Sequence, residues 1–169
     1  MSQTVGEHRA ASPDCVRCAV VTVSDTRSPQ TDRGGDLLVE LLTAAGNSVV
    51  TRELVPDEPV AVRGCVSSAA ERDDVDAILL TGGTGISRRD RTFETVSGLL
   101  TRTLPGYGEL FRQLSFAEIG AAAMLSRAVG GLIDTTVVLT MPGSPAAVRL
   151  ALARLVLPEL GHLVREAQR

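Results

Sequence analysis

Apolar residues in this chain recur at two spacings, and the alternation between them outlines the fold. The β-branched run at 18–23 suits a strand, and it is followed by leucines at helical spacing over 36–45 that stop at Gly46. A second strand is predicted at 48–55, ending at Pro56-Asp57-Glu58-Pro59, and a second helix over 60–72, with Val62, Val66, Ala69 and Ala70 on one face. Asp73, Asp74 and Asp76 read as a solvated acidic turn beside the apolar run that opens at Val75 and ends at Leu80. A third helix is expected from about Thr92, with Glu94 in the first turn, where a negative charge suits the helix dipole. This β-α-β-α-β-α pattern implies a parallel sheet covered on both faces. Right-handed crossovers place its second and third strands on opposite sides of the first.

Beyond Leu104 the pattern changes. Pro105-Gly106-Tyr107-Gly108 reads as a break, and a helix is expected from Glu109 to about Leu125. The segments 126–134 and 136–141 are both β-prone and nearly adjacent, which predicts a hairpin, with Gly130-Gly131 at a bulge or close approach. One strand must then run antiparallel. The fold class expected is α/β, three-layer α/β/α, with a mostly parallel mixed sheet. Ser144 suits an N-cap and Pro145 the first position of a long last helix, which Pro158 kinks or restarts.

Composition narrows the function. The hydrophobic fraction of 44% and charged fraction of 22% are those of a soluble globular protein, and 2% aromatic residues leave an aliphatic core with little material for base stacking. The net charge is -3 and the 17 basic residues are scattered, so no nucleic-acid partner is expected. All 17 are arginine, which excludes a P-loop lysine, a Schiff base and a lysyl-nucleotide intermediate. No apolar run is long enough for a membrane span, so no membrane partner is expected and the location expected is cytoplasmic. Residues 1–14 read as a flexible N-terminal tail and 15–169 as a single domain. Cys15 and Cys18 form a Cys-x-x-Cys with only Cys65, His8 and His162 to complete a metal site, so Cys18 is read as a small buried hydrophobe.

The candidate chemistry lies after the third strand, in Thr81-Gly82-Gly83-Thr84-Gly85-Ile86-Ser87-Arg88-Arg89-Asp90. Clustered glycines permit positive φ and let successive amides converge on an anion, while Arg88 and Arg89 supply charge. Asp90 would repel a bare phosphate, so its presence suggests a divalent cation between the two. In an open parallel sheet, ligands lie beyond the carboxyl ends of the strands. The loops Ser24-Asp25-Thr26 and Pro56-Asp57-Glu58 belong to that same end, and each carries a carboxylate after a strand. Phosphoryl or nucleotidyl transfer is the chemistry suggested.

The motifs Val23-Ser24-Asp25-Thr26, Val55-Pro56-Asp57-Glu58, Thr81-Gly82-Gly83-Thr84-Gly85 with Arg89-Asp90-Arg91-Thr92, Pro105-Gly106-Tyr107-Gly108-Glu109, Leu125-Ser126-Arg127-Ala128 and Pro142-Gly143-Ser144-Pro145 occur in this order. Together they resemble the MoaB/MogA-type molybdenum cofactor biosynthesis proteins, relatives of the gephyrin G domain, over almost the whole chain. The resemblance implies a molybdopterin-binding domain with a three-layer mixed-sheet fold, assembled as a trimer or hexamer. It also implies adenylylation of molybdopterin with ATP and Mg2+, with other proteins of the cofactor pathway as further partners. Matched by position, Asp57 and Asp90 would be the catalytic and Mg2+-holding carboxylates. Thr81, Gly82, Gly83, Thr84 and Gly85 would hold the pterin phosphate, with Ser24, Asp25, Arg89, Ser126, Pro142, Gly143 and Ser144 completing the binding site. Two readings stay open beside this one: a protein of the same family that holds molybdopterin or its precursor without catalysis, and a competence-damage-like domain acting on another phosphorylated nucleotide or pterin. The chain departs from the family pattern at Phe93, where proline is common, and in Asp32-Arg33-Gly34-Gly35, where serine is frequent at the third position.

Overall fold

The computed structural model describes residues 12–169, and residues 1–11, His8 among them, lie outside that range. The elements are β1 (Arg17–Val23), α1 (Arg33–Ala44), β2 (Ser48–Val55), α2 (Pro59–Ala70), β3 (Ala77–Thr81), α3 (Thr92–Ser97), β4 (Arg102–Thr103), α4 (Pro105–Ile119), β5 (Gly130–Ile133), β6 (Thr136–Met141), α5 (Pro145–Ala151) and α6 (Leu157–Ala167). A 3₁₀ stretch, Gly120–Leu125, extends α4, and a π turn, Leu152–Val156, joins α5 to α6.

The strands form one sheet in the order β2-β1-β3-β6-β5-β4. As the crossover rule requires, β2 and β3 flank β1 and run parallel to it. Strand β6 is parallel to β3, while β5 is antiparallel to both β6 and β4, so β5 alone runs against the rest. Alternation along the central strands divides the core. Cys18, Val20, Leu79, Val137, Leu139 and Met141 face one layer, made by α1, α4, α5 and α6. Ala19, Val21, Ile78, Leu80 and Val138 face the other, made by α2 and α3. Each fully buried leucine on these faces contributes about 1.5–3 kcal/mol through removal from water. This is the three-layer arrangement expected from the pattern.

Several local expectations are corrected. Helix α4 begins at Pro105 rather than Glu109, because a proline at the first helical position has no amide to leave unpaired. It ends at Ile119, where Gly120 takes φ +63°. Strand β5 is confined to four residues, and β4, a two-residue edge strand, is too short to carry a periodic signal. Gly130 and Gly131 do mark a close approach: a Cβ on Gly130 would lie 2.7 Å from Leu139 Cδ2, and one on Gly131 would lie 2.3 Å from the Arg102 carbonyl. Pro158 falls in the first turn of α6, after the π turn, and so restarts the helix. Asp76 does not belong to a solvated turn, for it is buried and bound to Arg17.

The three cysteines are free, with Cys15 exposed and Cys18 buried, where desolvation pushes its thiol up to about 12. Of the predicted tail, Pro13 lies against α6, its carbonyl 2.8 Å from the place a Cβ on Gly161 would take. Among the described residues, no helix is long and apolar enough to cross a membrane.

Candidate functional site

The carboxyl ends of β1, β2, β3 and β6 open on one side of the sheet, and their following loops enclose a cavity of about 360 Å³. The predicted residues Ser24, Asp25, Asp57, Thr81, Gly82, Gly83, Thr84, Gly85, Arg89, Asp90, Pro142, Gly143 and Ser144 all line it. Ser126 does not. It lines an adjoining cavity of about 260 Å³ that shares Thr84, Gly85, Pro142 and Ser144 with the first and is otherwise walled largely by apolar side chains such as Phe111 and Ile119. Arg88 is absent from both linings.

The glycine loop takes its shape from close contacts. Gly82, at φ +106°, passes so near β1 that a Cβ would lie 2.2 Å from the Val23 carbonyl. Gly83, at φ +62°, turns the chain where a Cβ would meet Thr92 Oγ1 at 2.1 Å and an Asp57 carboxylate oxygen at 2.9 Å. Thus the loop needs glycine at both positions for space as well as for backbone conformation. The Gly82 amide is taken by the Met141 carbonyl at 3.0 Å. Among the described residues, none accepts a hydrogen bond from the amides of Gly83, Thr84 or Gly85, so these donors remain available to an anion. Thr92 Oγ1 is buried without a partner beside them.

The carboxylates come from three loops. Asp25 accepts a hydrogen bond from the Asp57 amide at 2.9 Å, which ties the loop after β1 to the loop after β2. Asp57 in turn accepts from the Arg91 amide at 3.3 Å, linking it to the start of α3. Burial, together with the charges of Asp90 and Asp25, holds the Asp57 carboxyl above the usual carboxylate range, against that hydrogen bond and the attraction of Arg89. Asp90 turns one oxygen to the Ser87 amide at 2.8 Å, which closes the tip of the glycine loop. At the fourth loop Ser144 caps α5, its hydroxyl accepting from the Ala147 amide at 3.2 Å.

Asp32 was noticed in the sequence only as part of a departure from a motif, yet it lines the cavity and is buried. It caps α1 through the Gly35 amide at 2.9 Å and accepts from the Thr22 hydroxyl at 2.7 Å and from Arg52 at 3.0 Å. Burial pushes its carboxyl up, but these three donors outweigh that effect and hold it below the usual range. An aspartate three residues before a glycine at a helix start was the available signal. Thr26 and Arg27 also line the cavity, held by hydrogen bonds of 3.2 Å from their amides to the Ser24 hydroxyl. Arg127, within a quoted motif but absent from the predicted site, grips the glycine loop from behind.

A family model for the probable molybdopterin binding domain matches residues 19–162. The chain belongs to that family, among the MoaB/MogA-type proteins. Molybdenum cofactor biosynthesis protein B of Bacillus anthracis is 51% identical over 167 residues, covering 98% of this chain and 99% of the relative. A crystal structure of a molybdenum cofactor biosynthesis protein B matches with a TM-score of 0.90 and 51% identity, over 94% of this chain and 99% of that one. The tungsten cofactor synthesizing protein MoaB from Pyrococcus furiosus matches with a TM-score of 0.79 and 32% identity, over 94% of this chain and all of that one, 100%.

A MoaB/MogA-type reading that includes Mg2+ can be tested against the donor set. Among the described residues no group of three or more His, Cys, Asp or Glu side chains is placed to hold one ion. Asp57 and Asp90 nevertheless share a cavity wall, and burial and the like charges that raise Asp57 are both opposed by a cation placed there. Two carboxylates completed by substrate phosphate oxygens and water fit Mg2+, which seldom relies on a cage of protein ligands.

Proposed function

We propose that the chain acts in molybdenum cofactor biosynthesis as a molybdopterin adenylyltransferase. The observation that carries this reading is the meeting of opposites in one cavity: unpaired amides at Gly83, Thr84 and Gly85 beside the carboxylates of Asp57, Asp90 and Asp25. The amides and Arg89 hold the terminal phosphate of the pterin, while Asp57 and Asp90 hold Mg2+ with the ATP phosphates. Bound there, Mg2+ supplies positive charge to the phosphate oxygens where negative charge develops. An oxygen of the pterin phosphate forms a bond to the α-phosphorus of ATP as the bond from that phosphorus to the bridging oxygen breaks, and pyrophosphate leaves with the electron pair. The absence of lysine from the whole chain leaves no lysyl-nucleotide route.

The adjoining cavity, walled by Phe111, Ile119 and Leu125, gives the ligand an apolar extension of the phosphate site. Exposed Leu110, Phe116, Ile119, Met124 and Leu125 on α4 and its 3₁₀ extension support a homo-oligomer, a trimer or hexamer. The chain is taken to work in the cytoplasm.

The test is incubation with molybdopterin and Mg-ATP. Adenylylated pterin and pyrophosphate are expected, and pterin binding without product would make the chain a carrier instead. Two variants separate the roles. In Gly83→Val the new side chain collides with Thr92 and Asp57, so pterin binding is lost. In Asp90→Asn turnover falls by roughly a hundredfold or more with pterin affinity retained, since only charge in the transition state is lost. Normal turnover in Asp90→Asn removes this carboxylate from the mechanism.

A further inference from the structure

The Arg127 guanidinium serves the glycine loop from outside the cavity, since Arg127 is not among the lining residues. Its Nε donates to the Gly85 carbonyl at 2.7 Å and one terminal nitrogen to the Asp90 carbonyl at 2.5 Å. The other terminal nitrogen pairs with Glu94. Its own amide donates to the Thr84 carbonyl at 2.9 Å, and the guanidinium carbon lies 5.3 Å from the centre of the Phe93 ring. One side chain thereby grips both ends of the segment 85–90.

Between those ends the segment is closed on itself only at its tip. The Asp90 amide donates to the Ser87 carbonyl at 3.0 Å, and the Ser87 amide donates to the Asp90 carboxylate at 2.8 Å. Ile86 and Arg88 are exposed. The base of the grip is anchored to the sheet, because Val129, two residues after Arg127, is joined to Thr140 of β6 by three hydrogen bonds. The planar guanidinium fork spans two carbonyls and a carboxylate at once, which a single ammonium group cannot do.

We propose that Arg127, stacked on Phe93, is the positioning residue of the phosphate loop. It ties the loop to the sheet and sets the spacing between the free amides of Thr84 and Gly85 and the carboxylate of Asp90. The loop's role as a phosphate holder rests on the function proposed above, whereas the grip itself does not.

The absence of lysine supplies the probe. Trypsin can cut this chain only after arginine, and the gripped segment carries Arg88 and Arg89. Limited trypsin digestion of the full chain, read by mass spectrometry, is run with titration of inorganic pyrophosphate and a thermal melt. Arg127→Ala is expected to raise cleavage after Arg88 and Arg89 at least tenfold over other sites, and to weaken pyrophosphate binding by about tenfold or more. Arg127→Lys, which keeps the charge and preserves folding if the alanine variant does not, restores at most part of the protection. Phe93→Leu gives a smaller increase of the same kind. Loop cleavage that stays at the wild-type rate in Arg127→Lys, or that rises equally at every arginine, overturns the proposal. If the wild type binds no pyrophosphate while loop-specific cleavage still appears, the phosphate-holding role fails and the grip stands.

Discussion

Asp57 and Asp76 are the same residue type at the same depth, each 8% exposed, at opposite ends of the sheet, and the fold treats them oppositely. Asp76, just before β3, accepts from the Arg17 amide at 2.9 Å, from the Arg17 side chain at 3.0 and 2.7 Å, and from Gln168 at 3.3 Å. Those donors hold its carboxyl below the usual range despite burial. Asp57, just after β2, has one amide donor at 3.3 Å and two like-charged neighbours, and its carboxyl is held above that range, with burial the leading cause. A carboxylate that serves the fold is given partners. Asp57 is left electrostatically incomplete, and under the function proposed above a ligand or its cation would complete it.

The largest expected effect that would break this contrast is on turnover. Asp57→Asn should lower adenylyl transfer by roughly a hundredfold or more, while Asp76→Asn leaves it nearly unchanged. Equal losses in the two variants would show that both carboxylates act only through the fold.

Stability should rank the other way. Asp76→Ala leaves the Arg17 amide and guanidinium without their partner, at a cost of about 1–3 kcal/mol. The ionic part of that cost is modest, because the Arg17 side chain is 45% exposed and screened by solvent. The midpoint of thermal unfolding should fall by roughly 2–12 °C for a domain of this size. Asp57→Asn should instead raise it slightly, by about a degree or two, because a raised carboxylate is a burden on the fold at neutral pH. Unchanged melting in Asp76→Ala, or a marked fall in Asp57→Asn, would contradict the assignment.

The smallest effect sharpens the comparison through pH. Asp76 has a depressed folded value, so its contribution is full above the unfolded carboxylate value of about 3.9 and is lost only as pH falls through the folded one. Asp57 has a raised folded value, so its burden is present at neutral pH and relieved as pH falls through that value. The melting difference between wild type and Asp57→Asn should therefore vanish on acidification before that for Asp76→Ala does. The reverse order would mean that the two environments have been assigned the wrong way round.

Much of the site could be read in sequence because it is local. The run Gly82-Gly83-Thr84-Gly85 announces an anion loop by composition alone, and Asp57 and Asp90 follow strands legible as short β-prone runs. Parallel topology then brings their loops to one end of the sheet, so the shared cavity follows from element order. Arg127 was not legible in this way, because its partners Gly85 and Asp90 lie 42 and 37 residues earlier in the chain. Asp32 was half legible, its cap to Gly35 being local and its bond from Arg52 not.

The sequence by itself determined the alternation of the longer strands and helices, a sheet covered on both faces, the antiparallel hairpin and the glycine loop, since each depends on periods of two or 3.6 residues, on element length or on backbone freedom at one position. Only the tertiary structure decided which charges are satisfied. Asp76 looked like part of a solvated acidic turn beside Asp73 and Asp74 until Arg17, 59 residues away in the chain, was folded against it. A carboxylate's state depends on the donors and charges within a few ångströms, and a chain of 169 residues chooses those neighbours by folding rather than by adjacency.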